Sequence, residues 1–191
     1  MLRKRLALML GVCALVTLTC FGPLNLYAKE VHKGKIPTDH LAKSLEALPW
    51  GAEIWDVDEA LSHLKSKDKI LWIDTRPNTF FEKGSVRGAV LMPYNKTGEK
   101  GNELTKEKLE AALASAGISK SSVKIVFFCQ GPRCHRSYNA SYIAVTQWGF
   151  DPKNVIWFRD GYPTLFKKVK DTPILKRKAK KYISNDGISQ M

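Results

Sequence analysis

The chain has 191 residues, of which 44% are hydrophobic and 10% aromatic, and this composition excludes an intrinsically disordered protein. Its formal net charge is +13 at pH 7. Without an N-terminal export segment and a basic C-terminal end, about 130–150 residues remain, which is the size of one domain. The positive charge would steer small anions toward the surface, whereas nucleic acid is not expected as a partner of an exported protein.

Residues 1–28 have the layout of a secretory signal. A charged start precedes an apolar run over residues 6–22, which ends before Pro23. The run is long for a cleaved signal and short for a membrane span, so this segment is either a signal peptide or an N-terminal anchor helix. We therefore expect an exported protein, periplasmic if its source is a Gram-negative bacterium, or held at the inner membrane by an uncleaved segment. Its body would face an oxidising compartment.

The rest of the chain alternates helical and strand patterns. The first predicted elements are a linker over residues 29–37, a short helix over 39–48 capped by Thr38, an amphipathic helix over 56–64, and strands over 70–73 and 89–92. They are followed by a helix over 105–116, a strand over 123–128, a helix from Tyr138 to Gly149, a strand over 155–158 and a short helix from Pro163. This alternation predicts an α/β fold over residues 54–174, with a central parallel sheet and helices on both faces.

The C-terminal end is basic, and residues 175–191 are predicted to be a tail after the domain. The positive residues concentrated toward this end are Lys167, Lys168, Lys170, Lys176, Arg177, Lys178, Lys180 and Lys181. A run of this kind is most often solvated, and the alternative is a patch for an anionic lipid or polymer. Membrane association through residues 6–22 or through this tail is therefore one hypothesis for a partner. The chain is otherwise expected to be a monomer.

Cys129 is the candidate nucleophile, because it follows the strand over residues 123–128 and precedes a loop and a helix. Ligands of a parallel sheet bind beyond the carboxyl ends of its strands, where Asp74 and Asp160 are also expected. Loop amides, the positive end of the next helix, and Arg133 and Arg136 would stabilise the thiolate and lower the pKa of Cys129. The residues predicted to bind an anion here are Gln130, Gly131, Arg133, His135, Arg136 and Ser137.

Cys134 lies five positions after Cys129 and has three interpretations. The pair could be a plain disulfide, or a redox couple in which Cys134 resolves a Cys129 persulfide, or Cys134 could be a bystander thiol. His135 is expected to be an exposed loop residue, with a role in proton transfer as the alternative. Two cysteines and one histidine this close together do not predict a zinc site, and no metal or other cofactor is expected.

Three segments around the cysteine loop resemble the rhodanese family of sulfurtransferases. They are Ile73-Asp74-Thr75-Arg76, Phe81-Glu82-Lys83-Gly84-Ser85-Val86-Arg87-Gly88-Ala89 and Phe158-Arg159-Asp160-Gly161-Tyr162. The resemblance covers about residues 54–174 and implies a single rhodanese-like domain in which Cys129 carries the sulfur. It also implies that Asp74, Arg76 and Asp160 support the site structurally.

The sequence departs from the family pattern at two places. Ser85 stands where the family has a histidine, which is expected to cost a structural hydrogen bond and no chemistry. The path from Cys129 to Arg136 and Ser137 is two residues longer than in the common family loop, and it contains Cys134. A longer loop would form a wider cradle, either for a bulkier anion or to place Cys134 against Cys129. A subset of exported rhodanese-like proteins with a second cysteine in this loop is similar.

The resemblance implies a sulfurtransferase that takes sulfane sulfur from a small anionic compound, such as thiosulfate or a persulfide, and passes it to a thiophilic acceptor. The alternative function is a thiol redox or persulfide-binding module that uses the Cys129/Cys134 pair without turnover. A cysteine phosphatase or arsenate reductase is less favoured, because the spacing from Cys129 to neither arginine fits those enzymes. A non-catalytic protein that binds a membrane or an acidic partner is the last hypothesis.

Overall fold

The computed structural model describes residues 30–66, 68–95, 102–117 and 123–184. The predicted export segment lies outside these residues, as does most of the predicted loop over 94–103. No helix within the described ranges is long and apolar enough to cross a membrane.

Within the described residues, five parallel strands form the central sheet, and a further short strand pair forms a second sheet. The elements in chain order are β1 Glu53–Trp55, α1 Val57–Lys65, β2 Ile70–Asp74, α2 Asn78–Phe81, β3 Ser85–Val86, β4 Val90–Leu91, α3 Lys106–Ser115, β5 Lys124–Phe128, α4 His135–Thr146, β6 Val155–Phe158, α5 Gly161–Asp171, α6 Pro173–Arg177 and β7 Ile183–Ser184. The sheet order is β1-β6-β5-β2-β4, while β3 pairs with β7 in antiparallel fashion. The predicted α/β fold with a central parallel sheet is therefore confirmed.

Alternate residues of the central strands face two separate hydrophobic cores. Ile125 and Phe127 of β5 pack with α3, α4 and the segment before β1, whereas Val126 and Phe128 pack with α1, α5 and α6. This follows from the two-residue period of a strand, which sends successive side chains to opposite faces. Because both faces are covered, β5 is buried in apolar surroundings up to its carboxyl end, where the cysteine loop begins.

The segment before β1 differs from the predicted linker and helix. Only a 3-10 turn, Asp39–Leu41, forms there, and Thr38 makes no capping hydrogen bond through its side chain. Otherwise the chain is irregular with several turns, and Leu48 and Trp50 are buried in the same core as residues of α4. Tertiary contacts replace helical ones here, and Arg159 fixes the segment by donating to the carbonyl of Ala42 at 2.8 Å.

The predicted basic tail is also part of the folded body as far as residue 184. The last helix of the predicted domain begins at Gly161 rather than Pro163, and α6, a 3-10 turn and β7 follow it. Leu175, Tyr182 and Ile183 are buried in the second core. The lysines between these apolar residues are exposed, so the segment folds because its few apolar side chains reach the core.

Candidate functional site

The candidate site lies at the carboxyl edge of the sheet, where three predicted residues follow three neighbouring strands. Asp74 ends β2, Cys129 follows β5, and Asp160 lies just beyond β6. Since β5 is the central strand of the five, Cys129 lies at the middle of this edge. Only 1% of the Cys129 surface is exposed.

A disulfide bond joins Cys129 to Cys134, with 6.1 Å between their Cα atoms. The five-residue separation is bridged because the loop folds back on itself: the amide of Cys134 donates to the carbonyl of Gly131 at 2.9 Å. The amide of Tyr162 donates to the carbonyl of Cys129 at 3.0 Å and fixes the start of the loop against α5. The two sulfur atoms therefore meet within the loop as it is folded.

Helix α4 begins three residues earlier than the sequence predicted. Its first residue is His135, and Cys134 is the N-cap, with an extended backbone and no hydrogen bond from its side chain to the helix. The first amides of a helix have no acceptor inside it, and the helix dipole makes this end positive. Cys134 thus lies at the positive end of α4 with its sulfur turned to Cys129.

A cavity of about 570 Å³ opens over the disulfide. Its lining comprises Lys33, Pro77, Phe80, Cys129, Gln130, Gly131, Pro132, Arg133, Cys134, His135 and Arg136. Phe80 is 42% exposed, so an aromatic ring stands at the rim. All the charged side chains in this lining are cations, which suits an anionic ligand.

Lys33 is a member of this lining that the sequence did not reveal. It comes from the segment before β1, which is held to α4 by Asn139. The buried amide side chain of Asn139 accepts from the amide of Val31 and donates to its carbonyl, both at 2.9 Å. A pair of hydrogen bonds over 108 positions of sequence has no local signature, so only the folded chain brings Lys33 to the cysteine loop.

Arg136 is the half-buried cation of the cavity, and Arg133 is the exposed one. Burial lowers the pKa of Arg136, although a guanidinium stays charged at neutral pH. Among the described residues no carboxylate pairs with Arg136. A half-buried charge without a counterion is costly, and a bound anion would relieve that cost.

His135 differs from the exposed loop residue that was expected. It is 5% exposed and begins α4. Burial, with the positive charges of Arg136 and Lys33 and the nearby His32, lowers the pKa of His135 to about 4. The imidazole is therefore neutral at neutral pH, and it adds no positive charge to the cavity.

Gly131 and Gly161 set the shape of the loop. Gly131 has φ of 144°, in the region that favours glycine, and its backbone turns beneath the cavity. A Cβ atom on Gly161 would lie 2.5 Å from the carbonyl oxygen of Cys129 and 2.6 Å from the amide nitrogen of Gly131. Helix α5 can therefore approach the cysteine loop only because residue 161 has no side chain.

Asp74 and Arg76 form a buried ion pair beside the site. Arg76 donates to Asp74 through Nε at 2.9 Å and Nη2 at 2.6 Å, and its guanidinium lies 4.5 Å from the ring centre of Tyr162. The expected loss of a hydrogen bond at Ser85 was wrong: the Ser85 hydroxyl donates to Asp74 Oδ2 at 2.6 Å. A serine hydroxyl suffices because β3 brings residue 85 close to this carboxylate.

Asp160 and Ser137 have structural contacts. Asp160 accepts from the amide of Val57 at 3.0 Å and so holds the start of α1, and its carboxylate lies 3.6 Å from Arg159. Ser137 was expected to bind the anion, but it is a buried residue of α4 whose hydroxyl accepts from Trp157 Nε1 at 3.2 Å. Its place in the first turn of α4 turns it toward the sheet and away from the cavity.

Within the described ranges, no group of three or more histidine, cysteine or acidic residues could hold a metal ion. Cys129 and Cys134 share the lining of the cavity with the cations Lys33, Arg133 and Arg136.

Comparison with known proteins found a matching protein family and several similar solved structures. Residues 56–168 match the Rhodanese-like domain. A search of curated proteins found no match. Among solved structures, the chain is similar to the BH2092 protein from Bacillus halodurans, with 21% identity over 69% of this chain and 79% of that one, at a TM-score of 0.46.

Two further solved structures are similar at lower identity. One is a thiosulfate sulfurtransferase from Pseudomonas aeruginosa, with 14% identity over 71% of this chain and 20% of that chain, at a TM-score of 0.44. The other is an As-Sb reductase from Leishmania major, with 18% identity over 63% of this chain and 80% of that chain, at a TM-score of 0.42.

Proposed function

Because the chain belongs to the rhodanese-like family over residues 56–168, we propose that it is a sulfurtransferase that carries sulfane sulfur on Cys129. The donor would be thiosulfate or another small anionic sulfur compound, such as a persulfide, and the acceptor a thiophile. The observation that carries the proposal is the position of Cys129 at the end of the central strand, beneath a cavity whose charged lining residues are Lys33, Arg133 and Arg136.

The reaction begins from the reduced protein, since a disulfide sulfur has no thiolate to attack with. The Cys129 thiolate attacks the outer sulfur of thiosulfate, the bond between the two sulfur atoms of the donor breaks, and sulfite leaves. Arg136 and the first amides of α4 would stabilise the anions present before and after this step. A guanidinium can hold two sulfonate oxygens at once, which orients the donor for attack.

The experiment is thiocyanate formation by the reduced protein with thiosulfate and a large molar excess of cyanide, so that cyanide intercepts the persulfide before a second thiol of the protein can react with it. Cys129→Ser is expected to lower the rate to background, because the serine hydroxyl is a far weaker nucleophile at neutral pH than a thiolate. The control is Cys13→Ser, which removes a thiol outside the rhodanese-like domain and should leave the rate unchanged. If wild type and Cys129→Ser formed thiocyanate equally well, the role of Cys129 would be refuted.

A second function is favoured by the disulfide between Cys129 and Cys134. The pair would cycle between dithiol and disulfide, or bind a persulfide, without turnover of thiosulfate. The two functions differ in one measurement: a redox module would be reduced and reoxidised reversibly while thiocyanate formation stayed at background in the wild type as well.

Export remains part of the proposal. The apolar run over residues 6–22 and the disulfide both suit a protein that works in an oxidising compartment, either released or anchored. The N-terminal residue of the protein recovered from its native compartment would decide between a cleaved signal and an anchor.

A further inference from the structure

The second cysteine of the loop is not needed for the transfer described above. Sulfur transfer through Cys129 requires one thiolate, and yet Cys134 lies at bonding distance from it. Cys134 is also the N-cap of α4, a position where a hydroxyl or carboxylate is favoured, and its side chain makes no capping hydrogen bond.

We propose that Cys134 resolves the Cys129 persulfide and releases its outer sulfur as sulfide, so that this domain converts sulfane sulfur into sulfide and a disulfide. This rests on the proposed function, because the persulfide must first form. The Cys134 thiolate attacks the Cys129 sulfur, a bond between the two cysteines forms, the bond to the outer sulfur breaks, and hydrosulfide leaves. The two cysteines lose two electrons, and the sulfane sulfur gains them.

Burial favours this internal attack over attack by an external acceptor. An external acceptor would take the outer sulfur of the persulfide, and to reach it beside Cys129, which is 1% exposed, the acceptor would have to enter the cavity past Phe80 and the loop. The Cys134 sulfur already lies at bonding distance from the Cys129 sulfur, so the internal attack needs no large movement of the loop. A reacting group held in place acts at a very high effective concentration, which outcompetes a dilute partner.

The difference in exposure between the two cysteines also indicates how the disulfide would be reduced again. Cys134 is partly exposed whereas Cys129 is buried, so a dithiol reductant would attack the Cys134 sulfur. Cys129 then leaves as a thiolate, and the cations and helix amides that stabilise it make it the better leaving group. The dithiol becomes a disulfide, and both cysteines return to the reduced state. Over the whole cycle, the dithiol reductant loses two electrons and the sulfane sulfur gains two electrons to become sulfide.

The test is a single turnover of the full chain in a Cys13→Ser/Cys20→Ser background, so that Cys129 and Cys134 are the only thiols. The protein is reduced, freed of reductant without air, and given one equivalent of thiosulfate. With both loop cysteines present we expect sulfite and sulfide in equal amounts, and an intact mass lower than that of the reduced protein by two hydrogens.

Cys134→Ser is expected to release sulfite but to stop with one added sulfur atom on Cys129, and to form sulfide at least about tenfold more slowly. Cys134→Ala serves as the second variant, and circular dichroism checks that both are folded. If the protein with both cysteines also stopped at the persulfide and released no sulfide, Cys134 would not be a resolving residue, although sulfite release would still support the proposed function. Absence of sulfite as well would overturn both.

Discussion

Gly161 determines how closely the N-terminus of α5 approaches the cysteine loop. Its φ of 71° favours glycine, and a Cβ there would be closer to two backbone atoms of the loop than real Cβ atoms come. The amide of the next residue, Tyr162, donates to the carbonyl of Cys129. The loop that carries the candidate nucleophile is thus held by backbone contacts with α5, and backbone cannot move aside as a flexible side chain would.

Gly161→Ala should therefore lower both stability and activity. We expect a loss of about 3 kcal/mol or more in the free energy of unfolding, since strained backbone and overpacking both contribute, together with a fall in thiocyanate formation. Denaturant unfolding and the cyanide assay measure the two effects. The matched control is Gly149→Ala: Gly149 has the same φ of 71° but open space around a Cβ, so its cost should be about 1–2 kcal/mol with activity kept. If the two variants lost the same free energy of unfolding and the same activity, the cysteine loop would be able to move away from the added methyl group, and close packing at Gly161 would not matter.

At the residue scale, the chemistry of the site is more predictable than its boundaries. A cysteine after an apolar strand and before two arginines has a local signature, and the fold places Cys129, Arg133 and Arg136 around one cavity. Lys33 and Phe80 have no such signature, since they reach the cavity from other elements. His135 is buried because α4 begins at this residue. The helix begins there because the cysteine loop folds back just before it, with the Cys134 amide donating to the Gly131 carbonyl.

At the element scale, the short strand pair β3 and β7 ties the C-terminal segment, residues 173–184, to the rest of the domain. Ser85 pairs with Ser184 and Val86 with Ile183, and the amide of Arg87 donates to the carbonyl of Tyr182 at 3.0 Å. This pairing lies beside Asp74, because Ser85 of the same strand donates to that carboxylate. The C-terminal segment therefore supports the strand that completes the buried ion pair near the site.

Two isoleucines in this segment allow a direct test. Ile183 is 3% exposed and belongs to the second core, whereas Ile174 is 62% exposed on α6. Ile183→Ala should lower the free energy of unfolding by about 2–4 kcal/mol, and Ile174→Ala should change it by less than about 0.5 kcal/mol. Denaturant unfolding of both variants measures the difference. A small effect at both positions would mean that residues 175–184 are a tail, as the sequence alone predicted.

The reason the sequence misleads here is that the apolar positions of the segment follow neither a helical nor a strand period. Leu175, Tyr182 and Ile183 are separated by six, mostly basic residues and then by none. The longer elements behave differently: β2, β5 and β6 are continuous apolar runs, and α1 repeats its apolar residues at helical spacing, so their existence could be predicted. Strand β1 has only three residues and was missed, because its pairing with β6 forms in the folded chain.

On the scale of the whole molecule, one groove near the C-terminal end has a strongly cationic lining. The formal net charge is +13, or +10 without the three cations of residues 1–28. A groove of about 840 Å³, lined by residues between 170 and 184 and by Arg87, includes seven cations: Arg87, Lys170, Lys176, Arg177, Lys178, Lys180 and Lys181. A cluster of cations in one groove suits an anionic lipid surface.

The full chain should therefore bind vesicles that contain phosphatidylglycerol more tightly than vesicles of phosphatidylcholine, and salt should weaken the difference. The apolar run of residues 6–22 would contribute to both kinds of vesicle, so the difference between them isolates the charge. Lys176→Gln/Arg177→Gln/Lys178→Gln should reduce that difference about tenfold or more, since each cation near an anionic surface is worth about 1 kcal/mol. Lys43→Gln/Lys65→Gln/Lys69→Gln removes the same charge from exposed positions elsewhere and should have little effect. Both triple variants remove three positive charges, so they differ only in where those charges lie. If both weakened vesicle binding equally, the net charge of the protein, and not the groove, would account for its binding to anionic lipid.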